Sequence, residues 1–225
     1  MRILLFGASG WVGTRLAEHL STDHEVIGVV RSAPSSPVAF TPLEVPDWVR
    51  SPHTIAAALA DRDLSVDATL AAVGGWYVDG PMLERGLESF DTDFDTYLRA
   101  HFSACTVAAS LGVGTHLALN GVASIEACVG SGAISVFGAG QQMLIRVADA
   151  ESETVDFREL TILAPLHGDG RNDLDGGVET IGIDVVAESV ARILTLGTTE
   201  VLTRLTPPNA PQSAPSAPVQ PAHPG

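Results

Sequence analysis

Short apolar runs closed by glycine alternate along this chain with stretches in which apolar residues recur every three or four positions. The first run, Ile3–Phe6, is closed by Gly7, and after Gly10 and Gly13 a helical spacing sets in with Leu16, Ala17 and Leu20. That helix is expected to end near residues 21–24, and Glu25–Val30 reads as a second strand. Residues 33–46 carry four prolines and little periodicity, which predicts a loop with one short strand around Phe40–Val45. Ser51-Pro52-His53-Thr54 marks a helix start before the alanine-rich stretch 55–59, and Val66–Val73 is a buried-type strand closed by Gly74 and Gly75. A long helix is predicted over Asp91–Leu111, with Phe94, Leu98, His101, Cys105 and Ala108 along one face. The strand Thr115–Asn120, the helix Ser135–Ala150, the strand Phe157–Leu163, the helix Ile183–Leu196 and the strand Glu200–Leu205 complete the series.

Strands that alternate with helices in this way predict an α/β domain, a doubly wound parallel sheet flanked by helices, over residues 1–205. Residues 206–225 hold half of the chain's 14 prolines among Ala, Ser and Gln, which predicts a disordered or extended tail. Sheets of this kind bind ligands at the carboxyl ends of their strands. The first strand ends there in Gly7-Ala-Ser-Gly-Trp-Val-Gly13. Gly7 allows a tight turn, Gly10 lets a pyrophosphate approach the backbone, and Gly13 lets the helix pack close to the strand. The helix N-terminus then offers free N–H groups to an anion. Arg31 follows the second strand, where an acidic residue would bind ribose hydroxyls and an arginine accommodates a 2′-phosphate, so the pattern favours NADP over NAD. The other reading of Arg31 is a solvated side chain at a strand end.

Composition narrows the classes. The formal charge of −15 over 225 residues repels nucleic acid and anionic membranes, and no Lys/Arg cluster offsets it. Apolar residues make up 45%, yet no run is long and uncharged enough to span a bilayer. With no basic, apolar leader and two isolated cysteines, Cys105 and Cys128, the expectation is a cytoplasmic protein with reduced thiols and no metal centre.

Candidate chemistry collects at the same sheet edge. Gly74 and Gly75 fall beside Gly10, and Trp76 and Tyr77 come next, near the mouth, either shaping a pocket or covering a loop. His101 faces the sheet, as a hydrogen-bonded core residue or as a catalyst. Asn120 and Gly121–Ser124 lie at the end of their strand. Residues 166–180 form a glycine-rich acidic loop, a lid or a plain connection, and bring in His167.

The order of elements, together with the glycine turn, resembles the short-chain dehydrogenase/reductase family from residue 1 to about 205. Val66–Gly74 resembles that family's Asn-Asn-Ala-Gly strand, and Ala164-Pro165 its Pro-Gly after the sixth strand. The resemblance implies a Rossmann-like fold and cofactor contacts from Gly7, Ser9, Gly10, Trp11, Val12, Gly13, Arg31, Asp47, Ala72, Gly74 and Pro165. It also implies a dimer or tetramer through the fourth and fifth helices. The face Val136, Phe137, Met143, Leu144 and Val147 either serves that interface or covers the sheet.

The family's catalytic Tyr-x-x-x-Lys has no counterpart. The matching segment is Phe137-Gly-Ala-Gly-Gln141. Phenylalanine has no proton to give, and glutamine carries no charge with which to depress a pKa. The family's serine falls on Gly121 when strand ends are aligned and on Ser124 when its spacing to the tyrosine is kept; its helix-four asparagine falls at His101. Three classes of function stay open: a non-redox enzyme (a cyclase, isomerase or dehydratase) in which His101, with Asn120 or Ser124, polarises a substrate oxygen; an NADPH-dependent oxidoreductase with Tyr77, His101 or His167 as replacement acid; and a non-catalytic nucleotide-binding protein. The first is preferred, on a small organic substrate, uncharged or cationic in view of the negative protein.

Overall fold

The computed structural model describes residues 1–170 and 179–207. The alternating pattern produces seven strands: β1 (Arg2–Phe6), β2 (Glu25–Val30), β3 (Thr41–Glu44), β4 (Ala68–Ala71), β5 (Thr115–Gly121), β6 (Asp156–Ile162) and β7 (Leu202–Leu205). All pair in parallel in one sheet of order β3-β2-β1-β4-β5-β6-β7. Parallel strands need covered faces, which is why β1 is apolar from Ile3 to Phe6, β4 is broken only by Thr69, and the middle of β5 is Leu117–Leu119. Chain order reverses between β1 and β4, paired with Phe6 opposite Ala71, and this opens a crevice at their carboxyl ends.

Helices cover both faces. On one side α1 (Trp11–Leu20) and α6 (Ile183–Leu196) bury Leu16, Ala17, Leu20, Val186, Val190 and Ile193 against Ile3, Leu5, Leu70 and Leu117. On the other side α2 (His53–Ala60), α4 (Ala100–Leu111) and α5 (Gly132–Glu151) lie over the alternate residues of the same strands.

Four expectations are corrected. Strand β4 is shorter than Val66–Val73, because residues 72–75 leave the sheet at Gly74, whose φ is +102°. Helix α5 begins at Gly132, ahead of Ser135. The helix expected over Asp91–Leu111 is not continuous: α3 (Gly86–Phe94) passes into a π-turn at Asp95–Arg99 before α4 resumes. A π-turn adds a residue to one helical turn and shifts the phase of the helix beyond it. The expected apolar face on α5 is split. Phe137 turns inward against Phe90 and Phe94, while Val136, Met143 and Val147 remain 47%, 56% and 44% exposed, because eleven positions at about 100° per residue return Val147 to Val136's side. The tail beyond residue 207 and most of the 166–180 loop lie outside the described residues.

Candidate active site

The site grows from the turn after β1. Gly7 has φ +79°, and a Cβ there would stand 2.2 Å from the Ala72 carbonyl oxygen, so β4 and the turn meet at a distance only glycine allows. A Cβ on Gly13 would stand 2.1 Å from the Gly7 oxygen. The turn is tied by Gly10 N–H donating to Gly7 O (3.0 Å) and Thr14 Oγ1 donating to Ala8 O (3.1 Å). No side chain caps α1 at Gly10, which leaves the first N–H groups of the helix open to a ligand.

A cavity of ≈ 240 Å³ lies against this helix start, in the crevice between β1 and β4. Its walls come from residues 72–76 after β4, from 119–123 at the end of β5, from 162–166 after β6, and from Ile134, Gly138 and Gln141 on α5. Tyr97 and Asp169 join them among the described residues. Of the residues expected at the site, Gly10, Trp11, Val12, Ala72, Gly74, Asn120 and Pro165 line the cavity. Gly7 and Gly13 support the turn beside it. Ser9 and Arg31 are exposed. Arg31 stands two residues beyond Val29, the register partner of Phe6, so it flanks the same turn, and it has no hydrogen bond or ion pair among the described residues. Asp47 is exposed in the turn after β3, 3.4 Å from Ser51 Oγ, and does not line the cavity.

The four expected catalytic residues are each engaged by protein. The Tyr77 hydroxyl donates to Asp93 (2.7 Å) and lies against the Arg85 guanidinium, itself paired with Asp93. Burial and then the Asp93 carboxylate push this phenol up to about 12, with Arg85 opposing, and it stands outside the cavity. Asn120 spends both amide hydrogens, on Gly138 O (3.0 Å) and Glu159 (3.1 Å), and its oxygen accepts from Gly121 N–H (2.9 Å). It has no hydrogen left to polarise a substrate oxygen. Ser124 donates to Gly121 O (2.7 Å), accepts from Gln142 (3.1 Å), and is buried outside the cavity lining, whereas Gly121 lines it. His101 is buried under α4 behind Val73, whose backbone accepts its hydrogen bond, and loss of solvent lowers its pKa to about 4. A neutral, enclosed imidazole of this kind is a core residue. His167 is exposed and outside the cavity.

Phe137, the expected counterpart of the family tyrosine, also misses the cavity. The face of α5 that lines it carries Ile134, Gly138 and Gln141, one helical turn apart, and none of these exchanges a proton. The titratable side chains among the described lining residues are Tyr97 and Asp169. Sequence reasoning missed Tyr97 because an uninterrupted helix gives no sign of the π-turn that carries it, and missed Asp169 among several acids in one loop.

Two buried polar groups were also missed. Glu159 on β6 is fully buried and accepts from Gln141 Nε2 (3.0 Å), Asn120 Nδ2 (3.1 Å) and Thr161 Oγ1 (2.8 Å); burial raises its pKa, and these donors oppose the rise. His116 on β5 bonds Thr69 Oγ1 through Nδ1 (2.8 Å), and burial, then nearby His101, lower its pKa to about 3. The signal for both was a polar residue inside a buried-type strand. Among the described residues no group of three or more His, Cys, Asp or Glu is placed to hold a metal ion, and no helix is long and apolar enough to cross a membrane.

No protein-family model matches the chain, and no curated protein matches it. Solved structures do. A closed form of serine dehydrogenase complexed with NADP+ superposes with a TM-score of 0.76 at 15% identity, covering 99% of this chain and 100% of that one. A 4-hydroxyisoleucine dehydrogenase complexed with NADH gives 0.73 at 13% identity, over 91% and 96%. A short chain dehydrogenase/reductase family protein gives 0.72 at 16%, over 90% and 94%. With these similarities and its strand order, the chain has the Rossmann-like, seven-stranded fold of the short-chain dehydrogenases/reductases.

Proposed function

We propose that this protein binds NADP(H) along the carboxyl edge of its sheet and acts on a small organic substrate without the Tyr/Lys chemistry of the family it resembles. The observation that carries the first half is the uncapped start of α1 opening into the switch-point cavity, with Arg31 exposed beside the turn. The pyrophosphate sits on Gly10, Trp11 and Val12, and Arg31 takes the 2′-phosphate. The neighbours named with NADP+ and NADH support the same reading. When bound, the nicotinamide supplies hydride chemistry or a flat wall for a substrate.

Titration should give NADPH a lower Kd than NADH. Arg31→Ala is expected to weaken NADPH roughly 10- to 100-fold, the worth of a charge-assisted phosphate contact of about 1.5–3 kcal/mol, and to leave NADH unchanged. If neither cofactor binds, the dinucleotide reading fails; if Arg31→Ala leaves NADPH unaffected, the NADP preference fails.

For the chemistry, the α5 wall of Ile134, Gly138 and Gln141 supports a non-redox reaction such as cyclisation, isomerisation or dehydration. A second reading is favoured by one observation: the Tyr97 ring packs where a Cβ on Gly74 would stand, 2.9 Å away, and lines the cavity, so its phenol is the replacement acid of an NADPH-dependent reductase. Substrate conversion without any change in the NADPH/NADP+ ratio decides for the first reading, and stoichiometric NADPH consumption for the second. The free thiols Cys105 and Cys128 support a cytoplasmic setting.

Phe102 on α4, 59% exposed, joins Val136, Met143 and Val147 as unburied apolar side chains, and we assign them to contact with a second copy. Val136→Glu with Met143→Glu should convert the protein to monomers in light scattering. A native chain that is already monomeric overturns this assignment.

A further inference from the structure

Gln141 is 96% buried by its 4% relative exposure, yet it lines the cavity. Both hydrogens of its amide nitrogen are spent, one on the Leu119 carbonyl (3.0 Å) and one on the Glu159 carboxylate (3.0 Å). A backbone carbonyl only accepts, so the nitrogen must face Leu119 whether or not Glu159 holds a proton. The amide is therefore fixed in one orientation. Its oxygen, Oε1, takes no hydrogen bond among the described residues and is not enclosed, so it is the polar atom that Gln141 offers the cavity. Asn120, held on the same Glu159 oxygen, has no hydrogen left to give, and its oxygen already accepts from Gly121 N–H. No Lys, Arg or His side chain lines the cavity among the described residues.

We propose that Gln141, held by Leu119 and Glu159, makes the α5 wall of this cavity an acceptor that selects a substrate bearing a hydroxyl or ammonium hydrogen on an otherwise apolar body. A carbonyl or ether oxygen at that point meets oxygen against oxygen, and an all-carbon ligand leaves Oε1 desolvated without a partner, a loss of about tenfold or more in affinity. Glu159 is a positioning residue: it acts through the Gln141 amide and touches no substrate. This deepens the proposed function and rests on it only in taking this cavity as the substrate end of the site.

The test uses the full chain and three probes of one shape: cyclohexanol, cyclohexylamine as its ammonium, and cyclohexanone, titrated by protein NMR with and without NADPH. Cyclohexanol and cyclohexylammonium should bind at least about tenfold tighter than cyclohexanone. Gln141→Met, which keeps the length of the side chain, should bring that ratio to within about threefold. The Gln141 side-chain amide hydrogens should exchange slowly in the native protein and faster in Glu159→Gln, a change that a merely space-filling Gln141 would not show. Cyclohexanone binding as tightly as cyclohexanol, an alcohol preference that survives Gln141→Met, or no binding by any probe overturns the proposal. A retained alcohol preference in a protein that binds neither NADPH nor NADH instead removes the dinucleotide reading and leaves the acceptor wall in place.

Discussion

Lowering the pH from 7.5 to 5 is expected to destabilise this protein by up to about 4 kcal/mol, a large part of the roughly 5–15 kcal/mol that holds a domain together. The cause is His101 and His116, both buried and neutral, with pKa values lowered to about 4 and about 3. The unfolded chain takes up a proton at each histidine from about pH 6.5 downward, whereas the folded chain does so only below those lowered values. Between them the unfolded state holds more protons, so stability present at neutral pH is lost as pH falls. At pH 5 each site is about 1.5 units below its unfolded value, or about 2 kcal/mol. Glu159 works in the opposite sense: its pKa is raised by burial, so acid favours the folded form from that pKa down toward the unfolded one, and it offsets part of the loss. Melting temperatures across pH 4.5–8 should fall by roughly 8–16 °C between pH 7.5 and 5. His101→Gln with His116→Gln should remove most of that slope. A flat profile in the native protein would show that these rings are not buried neutral.

Gly13→Ala should lower the melting temperature by roughly 6–12 °C or more, whereas Gly10→Ala leaves it nearly unchanged and costs cofactor binding instead. The Gly13 Cβ would stand 2.1 Å from the Gly7 carbonyl oxygen, backbone against backbone, with no flexible end to yield, an overlap worth about 3 kcal/mol or more. At Gly10 the nearest atom is the Gly7 oxygen at 3.2 Å, which a shift of about a few tenths of an ångström relieves, and the extended backbone with φ −76° suits alanine, so the strain is far smaller than at Gly13. Its methyl group, however, occupies the surface on which the pyrophosphate is proposed to rest, and NADPH affinity should drop on the order of 100-fold. Calorimetric melting and NADPH titration of the two variants separate the roles. Equal losses of binding at equal stability would mean that Gly10 is no closer to the cofactor than Gly13.

The difference between these glycines shows how far the chain can be read unaided. Strand–glycine–helix is a local pattern, and β1, the turn and α1 lie where the spacing of Ile3–Phe6, Gly7, Gly10, Gly13 and Leu16 predicts them. Sheet order comes from the same alternation, because buried parallel strands leave few ways to connect. The catalytic assignments fared differently. Position along the chain directs Tyr77, Asn120, Ser124 and His101 toward one edge of the sheet, but whether a polar atom is free depends largely on partners far away in sequence. Asp93, Glu159, Gln142 and Val73 are those partners. None stands at a helical or strand spacing from the residue it engages, so periodicity carries no trace of them. Phe137 shows the same limit: one position along α5 separates a side chain packed on Phe90 and Phe94 from Gly138 at the cavity wall.

The π-turn at Asp95–Arg99 makes the aromatic wall of the cavity a matter of chain length as much as of residue type. A turn of this kind is the footprint of one inserted residue. Removing Leu98 or Arg99 restores regular helix and rotates everything on its N-terminal side by about 100° relative to α4. Tyr97 then swings off Gly74 while His101, Cys105 and Ala108 keep their places beneath the sheet. Because α3 turns with it, Phe90 and Phe94 also leave Phe137, so a one-codon deletion here exchanges the group at the cavity wall together with the aromatic cluster behind it.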